Sequence, residues 1–284
     1  MTPRLSLGPR RHCAVLGSPI RHSLSPTLHR AAYAEAGLDW TYEAREVSGT
    51  ELAGFLDGLD ETWRGLSLTM PLKRGVLPLL DALSPRADQA QAVNTVLLQD
   101  GRRVGHNTDI TGMVAAISER SARPVHSAVI LGGGATAGSA LLALADLGCR
   151  EVTVAVRDEG RAREALEAAT RHPSLPTVRV SDLAMPPARA DLLVSTIPAA
   201  AQTDVVLGLA AGVRVIFDVV YDPWPTPLAA LAHKQQRTLV SGLDLLVHQA
   251  AEQFTLMTGI DDPPLRVMRA AGERALEQAH PASG

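Results

Sequence analysis

The 284-residue sequence predicts an α/β protein of two domains, and three observations carry that expectation. Short apolar runs alternate with stretches of helical period from Cys13 onward. The alternation lapses near Gly112 and restarts beyond Pro124, with a glycine triplet set between an apolar strand and a small-residue helix. A long helix with an apolar stripe closes the second set of strands. At about 150 residues per domain, the length accommodates two.

Taken in order, Cys13 to Gly17 reads as a short buried strand, and Ser25-Pro26 opens a helix with serine as N-cap and proline in the first turn. Its Leu28, Ala32, Ala36 stripe stops at Gly37. Trp40 to Val47 is a second strand, and Ser48 to Glu51 has the spacing of a capping box ahead of Leu52, Phe55, Leu56 and Leu59. Gly65 to Thr69 is a third strand. Strands and helices in this alternation imply parallel strands joined by crossovers. A helix from about Met113 to Glu119 precedes the second set: strand Ser127 to Leu131, helix Ala135 to Leu147, strand Glu151 to Val156, helix Arg161 to Thr170, then strands Thr177 to Val180, Asp191 to Thr196 and Val213 to Val219. That is a doubly wound, Rossmann-type pattern. Leu243, Leu246, Val247, Ala250, Phe254 and Met257 share one face of the following helix, a last helix follows Pro264, and the tail from Pro281 reads as frayed. The expected division is a parallel-sheet-based domain from residues 1–112 and 243–284, a doubly wound domain from 113–242, and a cleft between them.

Charge and composition remove several function classes. Lys plus Arg number 27 against 30 Asp plus Glu, a net charge of −3, so there is no basic footprint for nucleic acid or an anionic membrane. Hydrophobic residues at 46% and charged ones at 20% describe a globular chain. Cys13 and Cys149 cannot build a disulfide framework and lie in no Cys/His cluster, so no metal site is expected and a reducing cytoplasm fits. Arg4, Arg10 and Arg11 are followed by no apolar stretch of signal-peptide length, and no eighteen-residue apolar run predicts a membrane span.

Gly132-Gly133-Gly134-Ala135-Thr136-Ala137 follows one predicted strand and opens one predicted helix, the context that makes GxGxxA a dinucleotide motif. Gly132 permits the tight turn, Gly134 lets backbone approach a pyrophosphate, and Ala137 lets helix and strand pack. The pyrophosphate would sit at the positive helix N-terminus. At the end of the next strand, Arg157 and Arg161 favour a 2′-phosphate and hence NADP, whereas Asp158 favours the free 2′-hydroxyl of NAD. An ordinary Asp158 to Arg161 surface contact would also account for these residues.

Four polar clusters mark the first half. Ser23 and Ser25 carry hydroxyls that on an extended segment face the same way. Thr69-Met70-Pro71-Leu72-Lys73 leaves a strand for a helix, with Lys73 in a first turn where its charge opposes the helix dipole. Asn94 places an amide inside the apolar strand Ala92 to Val96, and Gly105 to Asp109 reads as a turn.

The order SLSP, TMPLK, VNT, NTD and GxGxxA resembles the shikimate dehydrogenase family, which reduces 3-dehydroshikimate with NADPH in aromatic amino-acid biosynthesis. Asp218 to Pro223 with Thr226-Pro227-Leu228, and Gly242-Leu243 through Val247-His248-Gln249-Ala250-Ala251, extend the likeness over about Val15 to Gly259. The resemblance implies that Ser23, Ser25 and Tyr221 hold the substrate carboxylate, and that Thr69, Lys73, Asn94, Asp109 and Gln249 bind the ring hydroxyls and the reacting oxygen. It implies Lys73 and Asp109 as the catalytic pair. It also implies NADP on Gly132, Gly133, Gly134, Ala135, Thr136 and Ala137, with Arg157 and Arg161 at the 2′-phosphate, Asp158 beside them, and Val219 and Gly242 near the nicotinamide. Lysine suits the chemistry: charge develops on oxygen as hydride reaches carbon, and a positioned donor must supply the proton. Three departures from the family pattern stand out: Ser67 in place of asparagine, Val156-Arg157-Asp158 in place of asparagine-arginine-threonine, and Leu245 in place of methionine. A quinate/shikimate dehydrogenase using NAD and a non-catalytic nucleotide-binding relative are the alternatives. A small-molecule substrate, no nucleic acid, no membrane, and a monomer or homodimer are expected.

Overall fold

The computed structural model describes residues 10–169, 172–183 and 189–279. Arg4, the Thr170 end of the expected helix and the expected frayed tail from Pro281 lie outside the described residues. The chain divides into two compact units, Met1–Thr108 with Gln249–Gly284, and Asp109–His248.

The first unit holds strands β1 (Arg11–Gly17), β2 (Trp40–Glu46), β3 (Trp63–Leu68), β4 (Ala82–Leu83), β5 (Thr95–Gln99) and β6 (Arg102–His106), in the order β2-β1-β3-β5-β6-β4. Helices α1 (Ser25–Glu35), α2 (Leu52–Asp57), α3 (Leu72–Gly75) and α4 (Pro85–Ala90) connect them. β1 pairs parallel with β2 and β3 as the crossover pattern requires, but β5 runs antiparallel to both β3 and β6. The reason is local. Asp100 and Gly101 both have positive φ, 53° and 72°, and form a two-residue hairpin turn between Gln99 and Arg102. Alternating side chains of β1 and β3, Ala14, Leu16, Leu66 and Leu68, bury against Leu52 and Leu56 of α2 and Leu72 and Val76 around α3.

The second unit begins with α5 (Asp109–Arg120) and continues β7 (Ser127–Leu131), α6 (Ala135–Asp146), β8 (Glu151–Val156), α7 (Glu159–Ala169), β9 (Thr177–Asp182), β10 (Leu192–Ser195), α8 (Asp204–Ala210), β11 (Val215–Asp218), α9 (Pro227–Lys234) and β12 (Thr238–Val240). The strand order is β12-β11-β10-β7-β8-β9 and every neighbouring pair is parallel. Counted from β7, that is the 3-2-1-4-5-6 order of a doubly wound dinucleotide fold. β7 reads as an unbroken apolar run because Ala128 through Leu131 are buried on both faces. Helix α10 (Gly242–Thr258) passes from the second unit back to the first at His248/Gln249, and α11 (Leu265–Ala279) packs along α1. No described helix is long and apolar enough to cross a membrane.

The divisions fall at 108/109 and 248/249 rather than at 112/113 and 242/243. Gly112, taken as a break, is buried inside α5, and Gly242 starts a helix that continues without interruption. A glycine that packs closely need not end a helix.

Candidate active site

The loop after β3 is held on three sides. The Thr69 N–H donates to the Leu16 carbonyl at 2.9 Å, the Ser18 N–H to the Met70 carbonyl at 3.0 Å, and the Leu72 N–H to the Thr69 carbonyl at 2.8 Å. A Cβ on Gly17 would collide with the Thr69 methyl, so only glycine lets β1 run beside this loop. Lys73 is the second residue of α3, and its carbonyl accepts the Val93 N–H at 2.8 Å. Lys73 is thereby tethered one residue from Asn94.

Asn94 lies just before β5 rather than within it, and its amide is the centre of the cluster. Oδ1 accepts the Thr108 N–H at 2.8 Å and the Thr95 hydroxyl at 2.9 Å, while Nδ2 donates to Thr108 Oγ1 and to Gln249 Oε1, both at 2.9 Å. Asn94 is 1% exposed, so this saturation is what its burial requires. The expected turn over Gly105 to Asp109 is instead the end of β6 followed by Asn107 and Thr108, and Asp109 is the first residue of α5, where a carboxylate complements the helix dipole. Asp109 is buried and peptide-bonded to Thr108, itself bonded to the Asn94 amide.

Ser23 and Ser25 depart from expectation. Leu24 between them has φ −85° and ψ −5°, so the segment is turned, not extended, and the two side chains do not alternate as on a strand. The N-cap is Leu24, without a side-chain bond, and Ser25 is the first helical residue, its N–H donating to Ser23 Oγ at 3.4 Å. The shift by one residue leaves the buried Ser25 hydroxyl without a capping role.

In the second unit, Gly132 has φ 107°, and a Cβ there would meet Thr196 Oγ1 at 2.5 Å, so the turn after β7 demands glycine twice over. Thr196 is locked across the β7/β10 boundary by its hydroxyl and N–H, which donate to the Leu131 carbonyl at 2.7 and 3.0 Å. That boundary is where the strand order reverses, the position at which open α/β sheets bind ligands. Gly134 caps α6 with no side-chain bond, and a Cβ built on it would point into open space. Ala137 is buried against the strand. Backbone N–H groups at the helix start, open room and a positive dipole end are what a pyrophosphate needs.

Asp158 Oδ1 accepts the Gly160 N–H at 2.8 Å and so stabilises the start of α7, while Arg157, just past the end of β8, is exposed. The Arg161 side chain, and with it the expected Asp158 to Arg161 contact, lies outside the described residues.

Val219 and Gly242 meet closely. A Cβ on Gly242 would come within 2.8 Å of the Val219 carbonyl carbon and 2.9 Å of that of Val220, and closer still to the Val219 oxygen. Asp218 anchors one side: its carboxylate accepts Thr226 Oγ1 at 2.6 Å, Gln202 Nε2 at 2.8 Å and the Val220 N–H at 3.2 Å. Burial pushes the pKa of Asp218 up, against those hydrogen bonds, which pull it down. Asp244 anchors the other side, accepting the Ser241 N–H and hydroxyl, each at 2.9 Å, and Arg120 Nη2 at 2.7 Å. Tyr221 lies in the half-exposed loop just beyond Asp218.

Two family models match this chain: the shikimate dehydrogenase substrate binding domain over residues 15–96 and the shikimate 5′-dehydrogenase C-terminal domain over 242–271. A shikimate dehydrogenase (NADP(+)) of Moorella thermoacetica is 36% identical over 282 residues, covering 95% of this chain and 94% of its own. The chain belongs to the shikimate dehydrogenase family. Crystal structures of shikimate dehydrogenases agree: that of Mycobacterium tuberculosis has a TM-score of 0.83 at 38% identity, covering 93% of this chain and 99% of its own. The enzyme from Thermus thermophilus, solved in complex with NADP(H) and shikimate, has a TM-score of 0.82 at 33% identity with the same coverage.

Sequence reasoning missed a further set of buried polar residues in this family member: His29, Tyr42, Thr95 and Gln253, with Ser67 noticed only as a departure. Gln253 had a signal. It lies three residues after Ala250 and seven after Leu246, on the apolar stripe of α10.

Proposed function

We propose that this chain catalyses the reversible NADPH-dependent reduction of 3-dehydroshikimate to shikimate, in the cytoplasm, as a monomer or homodimer. The observation that supports it best is the Asn94 amide, bonded to Thr108 beside Asp109 and to Gln249 on α10, one residue from the tether of Lys73. In this reading residues 1–112 with 243–284 form the substrate domain and 113–242 the cofactor domain, give or take the few residues by which the compact units differ.

NADP would be held by Gly132, Gly133, Gly134, Ala135, Thr136 and Ala137, with Arg157 and Arg161 toward the 2′-phosphate and Val219 and Gly242 toward the nicotinamide; when bound, it supplies or accepts a hydride at carbon. Lys73, as ammonium, gives a proton to the oxygen on which charge develops, and as neutral amine removes it in the reverse direction. Asp109 is the carboxylate of the catalytic pair and binds a ring hydroxyl. Ser23, Ser25 and Tyr221 hold the substrate carboxylate through hydroxyls. Thr69, Asn94 and Gln249 match ring hydroxyls, which both donate and accept. With Asp158 occupied at the start of α7, the side chain that favoured NAD has another role, and Arg157 is left at the strand end. Initial rates of NADP and NAD reduction with shikimate and with quinate test the assignment. Shikimate with NADP is expected to be turned over fastest, and a strong preference for NAD with quinate overturns it.

A further inference from the structure

A buried chain of hydrogen bonds leads from α1 to Asn94, and Gln253, 1% exposed, is its junction. Gln253 Oε1 accepts the Ser67 hydroxyl at 2.9 Å and His29 Nε2–H at 3.3 Å. Its Nε2 donates to Thr95 Oγ1 at 2.9 Å and, at 3.4 Å, to the Asn94 carbonyl. Ser67 in turn accepts the Tyr42 hydroxyl at 2.5 Å, and Tyr42 stacks on His29 with 4.1 Å between ring centres and 3° between planes.

The direction of this chain is determined at both ends. The Asn94 carbonyl only accepts, so the amino end of Gln253 must face it and Oε1 must face Ser67 and His29. Burial pushes the His29 pKa down to about 4, which keeps the ring neutral, with its proton on Nε2. Thr95 receives from Gln253, so its own hydrogen goes to Asn94 Oδ1. The Thr108 N–H, a donor that cannot reverse, points at the same oxygen. Asn94 Nδ2 therefore faces Gln249 and takes up Oε1 of that side chain. What Gln249 turns toward a ligand is its amino end.

We propose that Gln253 is a positioning residue of the reaction: through Thr95, and together with the Thr108 N–H, it holds the Asn94 amide, and thereby keeps Gln249 a hydrogen-bond donor to a substrate oxygen. This rests on the functional reading above. Ser67 acts with it, its hydroxyl bonded inward to Tyr42 and Gln253.

The test is steady-state kinetics on three single variants and one double. Gln253→Leu keeps volume and removes both ends of the amide, and Thr95→Val cuts the same chain one step on. Each is expected to raise the KM for shikimate about tenfold, the value of one such hydrogen bond, with the KM for NADP unchanged. The double variant should resemble either single one, since both break one relay. Leu56→Ala, in the apolar core of the same unit, lowers the melting temperature without touching the chain and should leave both KM values as they are. A wild-type shikimate KM in Gln253→Leu overturns the proposal, as do additive effects in the double variant. Should Gln253→Leu not fold, Thr95→Val decides, and an unchanged shikimate KM there overturns it too. Absence of shikimate-dependent NADP reduction in the wild-type protein would instead overturn the functional reading beneath.

Discussion

Replacing Gly242 with alanine sets two opposed effects against each other, and their signs differ. Alanine at a helix start is favoured by propensity and by a less flexible unfolded chain, worth about 0.5–1 kcal/mol in stability. The contact runs the other way. The new methyl would lie 2.8 and 2.9 Å from the carbonyl carbons of Val219 and Val220, where carbon pairs prefer about 3.5–4.0 Å. Neither backbone yields cheaply: Val219 is bonded to the Ser195 carbonyl at 3.1 Å and Val220 to Asp218, while Asp244 and Arg120 hold the start of α10. Overpacking of this kind costs about 1–3 kcal/mol, so the net expectation is destabilisation by about 1–2 kcal/mol. For a protein of this size that is a fall in Tm of about 2–6 °C by thermal unfolding. With Val219 at the nicotinamide as proposed, its displacement should lower kcat/KM for NADP by about 10–100-fold. A variant as stable as the wild type or more so would show that propensity prevails and that the close approach is absent.

Three further outcomes are expected. Lys73→Ala should lower kcat by about 10²–10⁴ with the dissociation constant for NADP unchanged by fluorescence titration, as for the loss of a general acid. Arg157→Ala should reduce kcat/KM for NADP by about 10–100-fold and leave that for NAD nearly as it was, whereas Asp158→Ala should cost about 1 kcal/mol of stability through the lost cap and leave the NADP to NAD ratio unchanged. His29 is neutral in the fold, its pKa lowered by burial from 6.5 to about 4, so the unfolded chain binds more protons between those values and stability is lost as pH falls from 6.5 to 4. Its share is roughly 3 kcal/mol; Asp218, raised, contributes with the opposite sign. A His29→Gln variant should show a shallower fall of Tm than the wild type over that range, and parallel curves would refute it.

Where local rules operate, the chain was legible. The runs Ser127 to Leu131 and Glu151 to Val156 coincide with β7 and β8: Ala128 to Leu131 of β7 are continuously apolar because both faces are buried, and β8 buries Val152, Val154, Ala155 and Val156 while Glu151 at its start is exposed. The Asp100-Gly101 pair is the local hairpin signal for β5 and β6, which makes β5 antiparallel where the alternation of strand and helix implies parallel strands. Ser25 misled for a different reason. Serine before proline is a cap signature, but the chain enters α1 already turned at Leu24, and Ser25 lies one residue inside. Asn94 looked like a strand residue because its neighbours are apolar. Its backbone does pair with the flanking strands, the N–H donating to the His106 carbonyl at 3.1 Å and the carbonyl accepting the Leu68 N–H at 2.8 Å, although β5 itself starts at Thr95.

Periodicity, caps and glycine spacing act over a few residues, and through them the sequence alone determined most of the order of elements and the glycine turn at Gly132 to Ala137, while the family resemblance singled out Thr69, Lys73, Asn94, Asp109 and Gln249. Only the tertiary structure decided which polar groups answer one another. Gln253 meets His29 and Ser67 across 224 and 186 residues of chain, and Asn94 meets Gln249 across 155. No local propensity encodes such pairs, because a buried amide is stable only when its partners arrive from elsewhere in the fold and saturate it.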